Sequence, residues 1–264
     1  MPENHFEKKP DFENLKYETL RRKRQEIECD SDNDQRLGWM LYDSPIEIYD
    51  ENFKAVLPEN IKNLNDYVKN IYQEKKGRLV GIELGGPGKK LFANLAPEYF
   101  AMTAGFTLHE KLEDKENNSE NGQHRIIEAD VFSRRKRDDI LPGYQNIEKW
   151  VKENGKADII IEKMVAPIDS PTAEHLLMII KRWYKLLNQG GTLFLEMPIY
   201  SHANKITSFL EKHQDMFEFQ IDKNTSDDGA WHISGVYIRL RKLEGAPDSI
   251  DELLKDENLE PKTN

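Results

Sequence analysis

One cysteine, Cys29, stands in a chain of 264 residues, which excludes an internal disulfide; no Cys/His cluster has zinc-ligand spacing, so no metal site is expected. Nowhere do 18 apolar residues run together, and the polar residues 1–10 lack the apolar core of a secretory signal. These absences lead us to expect a soluble protein of the reducing cytoplasm without a membrane span, export by a signal-free route being left open. An excess of positive charge is lacking too. The formal net charge of -10 works against a surface built to coat phosphate backbones and demotes nucleic acid as a partner, although a local basic patch can exist on an acidic protein. Only 38% of residues are hydrophobic while 33% are charged, so polar segments must dilute a single core.

What is present centres on residues 78–92. Leu79 opens a short apolar run ending at Ile82; Glu83 follows, then Gly85, Gly86 and Gly88, then helix-compatible residues. That order reads as strand, tight loop, helix. In an open α/β sheet such a loop lies at the carboxyl end of its strand, where ligands bind, and glycine admits a ligand that a Cβ would exclude. Glu83, placed at the mouth of the crevice, would repel a pyrophosphate and hold an ammonium, so a cationic ligand is favoured. The plainer alternative is a β-to-α turn with a capping acid.

Upstream, residues 1–36 form a polar extension, helical or disordered, with the basic tetrad Arg21-Arg22-Lys23-Arg24 and little to anchor a core. Residues 37–243 read as one domain. Within it, residues 37–59 carry Trp39, Tyr42, Ile46, Tyr49 and Phe53 and either pack on the domain or close over a ligand as a lid. Residues 60–76 have the spacing of an amphipathic helix, ended by Gly77. Residues 89–95 open a helix whose first amides point at the ligand, limited by Pro97.

Buried strands are expected at residues 100–109, closing on Glu110, at 124–132, with Asp130 near its end, at 157–162 and at 192–196. A long helix starting at Ser170 is expected to stop at Gly190-Gly191, and shorter ones to cover residues 146–153 and 203–213. Residues 217–221 and 231–241 read as a closing antiparallel pair. A second basic tetrad, Arg134-Arg135-Lys136-Arg137, is either a substrate contact or solvated charge. Residues 244–264 form an acidic tail with at most a short helix at 250–254.

Taken together, residues 79–241 resemble the class I S-adenosylmethionine-dependent methyltransferases. The resemblance is carried by Ile82-Glu83-Leu84-Gly85-Gly86-Pro87-Gly88, by Glu110 closing the second strand and Ala129-Asp130 the third, and by Leu186-Leu187-Asn188-Gln189-Gly190-Gly191-Thr192-Leu193. The closing antiparallel pair, which dehydrogenase Rossmann domains lack, extends it. It implies a Rossmann-like α/β fold: a mostly parallel seven-stranded sheet with helices on both faces. It further implies S-adenosylmethionine as cofactor and a small-molecule or protein acceptor. By the same resemblance Glu83 orients the amino acid end of the cofactor, Gly85, Gly86 and Gly88 let the backbone approach it, Glu110 binds the ribose and Asp130 the adenine. Pro87 and Lys89 depart from the family's usual glycines, and nothing after the fourth strand matches the Asn-Pro-Pro-Tyr type signature of amino-directed nucleic-acid methylases. Glu162, Lys163, Asp169 and His202 are the polar groups on the acceptor side, with no catalytic base assigned. The alternatives are a degenerate methyltransferase fold serving as a binding or scaffold module and, more weakly, a nicotinamide dinucleotide oxidoreductase.

Overall fold

The computed structural model describes residues 43–107, 123–129, 131, 142–162, 173–198, 203–223 and 235–250. Its centre is a strongly apolar strand. Strand β4 (Ala157–Glu162) buries all six of its residues, with Ile159 and Ile161 packed on one face of the sheet and Ile160 on the other. That two-sided burial is what a parallel strand covered by helices on both faces requires.

Strand β1 (Leu79–Leu84) pairs in parallel with β4 on one side and with β2 (Phe100–Thr107) on the other. Strand β2 pairs in parallel with β3 (His124–Glu128), and β4 with β5 (Leu187–Pro198). Strand β7 (Gly235–Lys242) runs antiparallel to both β5 and β6 (Phe217–Lys223), which gives the order β3-β2-β1-β4-β5-β7-β6. This is the Rossmann-like seven-stranded sheet that the resemblance implies, closing antiparallel pair included. The direction of strand succession reverses between β1 and β4, and in such sheets a crevice opens at the carboxyl edge there.

One face is covered by α1 (Ile46–Phe53), α2 (Leu64–Lys75) and the short α3 (Lys89–Asn94), which bury Tyr49, Phe53, Tyr67, Ile71 and Phe92 against Ile159, Ile161, Phe194 and Tyr237. The other is covered by α4 (Pro142–Asn154), α5 (Ala173–Leu186) and α6 (Ala203–Lys212), which contribute Trp150, Trp183 and Phe209. Among the described residues no helix is long and apolar enough to cross a membrane.

Several boundaries differ from the expectation: α4 starts at Pro142 rather than at residue 146, β3 stops at Glu128 rather than running to residue 132, and two others differ for a visible local reason. Helix α2 is capped at its start by the Asn63 side chain, which accepts from the Asp66 amide at 2.8 Å. It ends on Lys76, in the left-handed region at φ 53°, rather than on Gly77. The neighbouring Lys75 is drawn to the buried Asp158, whose carboxylate also accepts from the Val80 amide at 2.8 Å and from the Asn188 amide group at 2.7 Å. The second difference follows from that same anchor. Gly190-Gly191 does not end α5; the helix stops at Leu186 and the chain enters β5 directly, with Leu187 opposite Ala157 and Thr192 opposite Ile159. Residues 188–191 bulge between those pairs, and Gly190 takes the positive φ of 68° that the bulge needs.

Residues 46–57 pack on the core. Phe53 and Val56 are fully buried, Phe53 lies tilted against Phe194 and edge-on to Tyr237 at 5.2 and 5.9 Å, and the buried Arg239 on β7 donates to the Val56 carbonyl at 2.8 Å. Trp39 and Tyr42 of the expected lid segment lie outside the described residues, as do the N-terminal extension, both basic tetrads and most of the tail.

Candidate cofactor site at the carboxyl edge of strand one

The turn after β1 folds back across β2. Gly85 donates its amide to the Phe106 carbonyl at 2.9 Å, and Gly85 and Gly88 take φ of 83° and 70°, values open to glycine at little cost. The backbone of the loop lies directly on β2: a Cβ added to Gly105 would stand 1.8 Å from the Pro87 oxygen and 2.1 Å from its carbonyl carbon. No side chain fits between the two layers.

Glu83 is tucked behind this loop. A Cβ on Gly86 would lie 2.6–2.8 Å from the Glu83 carboxyl group, and one on Gly88 would lie 3.2 Å from Oε2. The expectation put this acid at an open mouth; the structure seals it, with 0% exposure. Besides the loop, Tyr49 on α1 covers it, its hydroxyl donating to Glu83 Oε1. The amino end of α3 is likewise engaged, since the Lys90 amide donates to both carboxylate oxygens of Asp43 at 3.0 and 2.9 Å.

His124 clasps the loop from β3. Its Nε2 donates to the Pro87 carbonyl at 2.9 Å and its Nδ1 lies 2.9 Å from Thr103 Oγ1, which makes the Nε2–H tautomer the one that satisfies both contacts. Burial holds this imidazole down to about 4, against the Pro87 carbonyl, which favours the charged ring, and with help from the Lys89 ammonium. A folded-state value below the unfolded 6.5 means that the unfolded chain binds a proton between pH 6.5 and about 4 while the folded chain does not. Stability from this group is therefore complete above pH 6.5 and is lost as the pH falls through that window, by roughly 2 kcal/mol near pH 4.5. Urea unfolding of His124→Gln should show a correspondingly shallower loss between about pH 7.5 and 4.5 than wild type; equal slopes would mean that another group titrates there.

Along the sheet, Gly105, Glu83, Ile161 and Phe194 share one row. Glu196, further along β5 on the same face, is 4% exposed and accepts from Asn52 Nδ2 at 3.2 Å. Burial, with the Glu196 carboxylate beside it, drives the Tyr237 phenol well upward. Glu162 is fully buried at the end of β4, but it pairs with Leu84 and so projects to the opposite face, away from Glu83.

The structure thus brings together Glu83, Gly85, Gly86 and Gly88. Glu110, Asp130, Lys163, Asp169 and His202 lie outside the described residues; in the sequence Glu110 and Asp130 follow β2 and β3. Sequence reasoning passed over Gly105, His124, Asn52 and Glu196 as site residues, and named Tyr49 only as an anchor of the packing or lid segment. Of these, Gly105 carried a signal, because a glycine inside an apolar strand marks a close backbone approach. Tyr49 and Asn52 carried a weaker one, their three-residue spacing on one helical face.

Strand order, the antiparallel seventh strand and an acidic glycine loop at the switch point together define the class I methyltransferase fold. No family model matches the sequence, and no curated protein does. Among solved structures, a ribosomal RNA methylase from Streptococcus thermophilus is 14% identical, covering 70% of this chain and 99% of its own, with a TM-score of 0.44. A candidate methyltransferase from Streptococcus mutans, solved in complex with SAH, is 14% identical over 77% and 100% of the two chains, with a TM-score of 0.42. An N-methyltransferase from Bradyrhizobium japonicum is 12% identical over 68% and 95%, with a TM-score of 0.40. These likenesses are distant, and the fold assignment rests on the strand order and pairing.

Proposed function

We propose that this chain is an S-adenosylmethionine-dependent methyltransferase of the cytoplasm, acting on a small-molecule or protein acceptor. The observation that carries this reading is the buried Glu83 carboxylate lodged directly behind the glycine loop at the switch point of the sheet. A ligand laid on that backbone has negative charge close behind it, which disfavours a pyrophosphate and favours a nucleoside carrying sulfonium and ammonium groups. When bound, the cofactor supplies an electrophilic methyl group on a positively charged sulfur.

This chain's own residues bind and align. Gly85, Gly86 and Gly88 offer backbone free of side chains, and Glu83 biases the field at the loop. Glu110 and Asp130 take the ribose hydroxyls and the adenine amine. In-line displacement needs alignment above all; the polar groups nearest the acceptor side in sequence are Glu162, Lys163, Asp169 and His202, and no base is assigned among them.

One observation favours a second reading, a binding module on a methyltransferase fold: Tyr49 and Asp43 already engage Glu83 and the Lys90 amide. Incubation with methyl-tritiated S-adenosylmethionine and size-fractionated extract separates the two. The enzymatic reading expects label in a small-molecule or protein fraction, abolished in Gly86→Val, whose side chain would strike the Glu83 carboxyl group. Ligand binding with no labelled fraction would overturn transfer and leave the binding module.

A further inference from the structure

Helix α1 precedes the first strand of the sheet, and two of its side chains, Tyr49 and Asn52, point the same way to meet carboxylates on β1 and β5. The two contacts do different things. Asn52 reaches an acid at the far side of the edge and fastens the helix. Tyr49 reaches the acid behind the glycine loop. Both oxygens of that acid lie against the loop, Oε1 at 2.6 Å and Oε2 at 2.8 Å from the place a Gly86 Cβ would occupy, and Oε1 is the one the phenol holds.

We infer that Tyr49 is a positioning residue, which fixes the Glu83 side chain behind the glycine loop and so sets the field a cationic ligand meets there. The ligand part of this inference rests on the proposed cofactor reading; the positioning part does not. A phenol suits the task. Its ring is buried among core residues and cannot swing away, and its hydroxyl donates to a carboxylate without adding the positive charge that a lysine or arginine would place against the ligand. Loss of that donor makes Glu83 easier to protonate, because a hydrogen bond to the charged form favours it. Among the described residues, the other titratable groups around the loop are His124 from β3, Lys89 and Lys90 at the start of α3 and Asp43 bound to the Lys90 amide, while Glu162 lies on the opposite face and Glu196 lies beyond β4.

The test uses the full chain as wild type, Tyr49→Phe, Glu83→Gln and the double variant, titrated calorimetrically with S-adenosylhomocysteine from about pH 8 to 5.5. Tyr49→Phe keeps the ring in the core, so a purely structural role predicts unchanged affinity. The positioning role predicts roughly tenfold weaker binding at neutral pH, a steeper loss on acidification than wild type, and no further loss when Tyr49→Phe is added to Glu83→Gln. Affinity equal to wild type at every pH, or an equal loss in both backgrounds, overturns it. If wild type binds no S-adenosylhomocysteine the cofactor reading falls, and a second readout still decides the positioning. The carboxyl carbon of Glu83, assigned in glutamate-labelled protein by its disappearance in Glu83→Gln, should shift and titrate at higher pH in Tyr49→Phe; an unmoved signal overturns the inference.

Discussion

Gly105→Ala will displace the glycine loop, costing about 4 kcal/mol of stability and weakening S-adenosylhomocysteine binding roughly a hundredfold. The new methyl group would stand 1.8 Å from the Pro87 oxygen, and that oxygen belongs to backbone, which has no rotamer to move into. The loop must lift from β2, and as it lifts it gives up the bond from Gly85 to the Phe106 carbonyl and the one from His124 to the Pro87 carbonyl. Overpacking of this kind costs about 1–3 kcal/mol, and each buried hydrogen bond adds about 1 kcal/mol. Urea unfolding and calorimetric titration of the purified variant read both effects. Near-native stability with intact binding would show that the loop does not rest on β2 as described.

The second large effect concerns the helix ahead of the sheet. Phe53→Ala should destabilise the protein by about 4 kcal/mol, since a fully buried phenylalanine in contact with two other rings leaves a cavity its neighbours cannot fill. Hydrogen exchange over residues 46–53 should rise in step, because Phe53 anchors the helix that carries Tyr49. A helix that merely rested on the surface would lose less than about 1 kcal/mol. A cost that small would return residues 46–53 to the role of a movable lid.

Much of the sheet was legible because its signals are local. The β4 run Ala-Asp-Ile-Ile-Ile-Glu has the boundaries read from the sequence, since two-sided burial leaves the consecutive Ile159, Ile160 and Ile161. The glycine loop after β1 and the antiparallel pairing of β6 and β7 were likewise readable. What escaped depends on contacts distant in sequence. Tyr49 lies 34 positions from Glu83, and nothing in either neighbourhood announces that a helix ahead of the sheet will seal the acid the sheet presents. Gly190-Gly191 read as a helix stop because glycine commonly ends helices, yet Asp158, 30 positions from Asn188, holds the chain in a bulge and turns the pair into part of a strand. Lys76 adopts the left-handed cap that glycine chemistry would assign to Gly77, while its neighbour Lys75 is paired with that same aspartate.

In the proposed function, negative charge behind the glycine loop selects a positively charged nucleoside over a dinucleotide. Equilibrium dialysis of the full chain with labelled S-adenosylmethionine, competed by S-adenosylhomocysteine and separately by NADH, measures that selection directly. The prediction is one saturable site per chain, emptied by S-adenosylhomocysteine and indifferent to NADH at similar concentration. Retention of NADH with no retention of S-adenosylmethionine would contradict it.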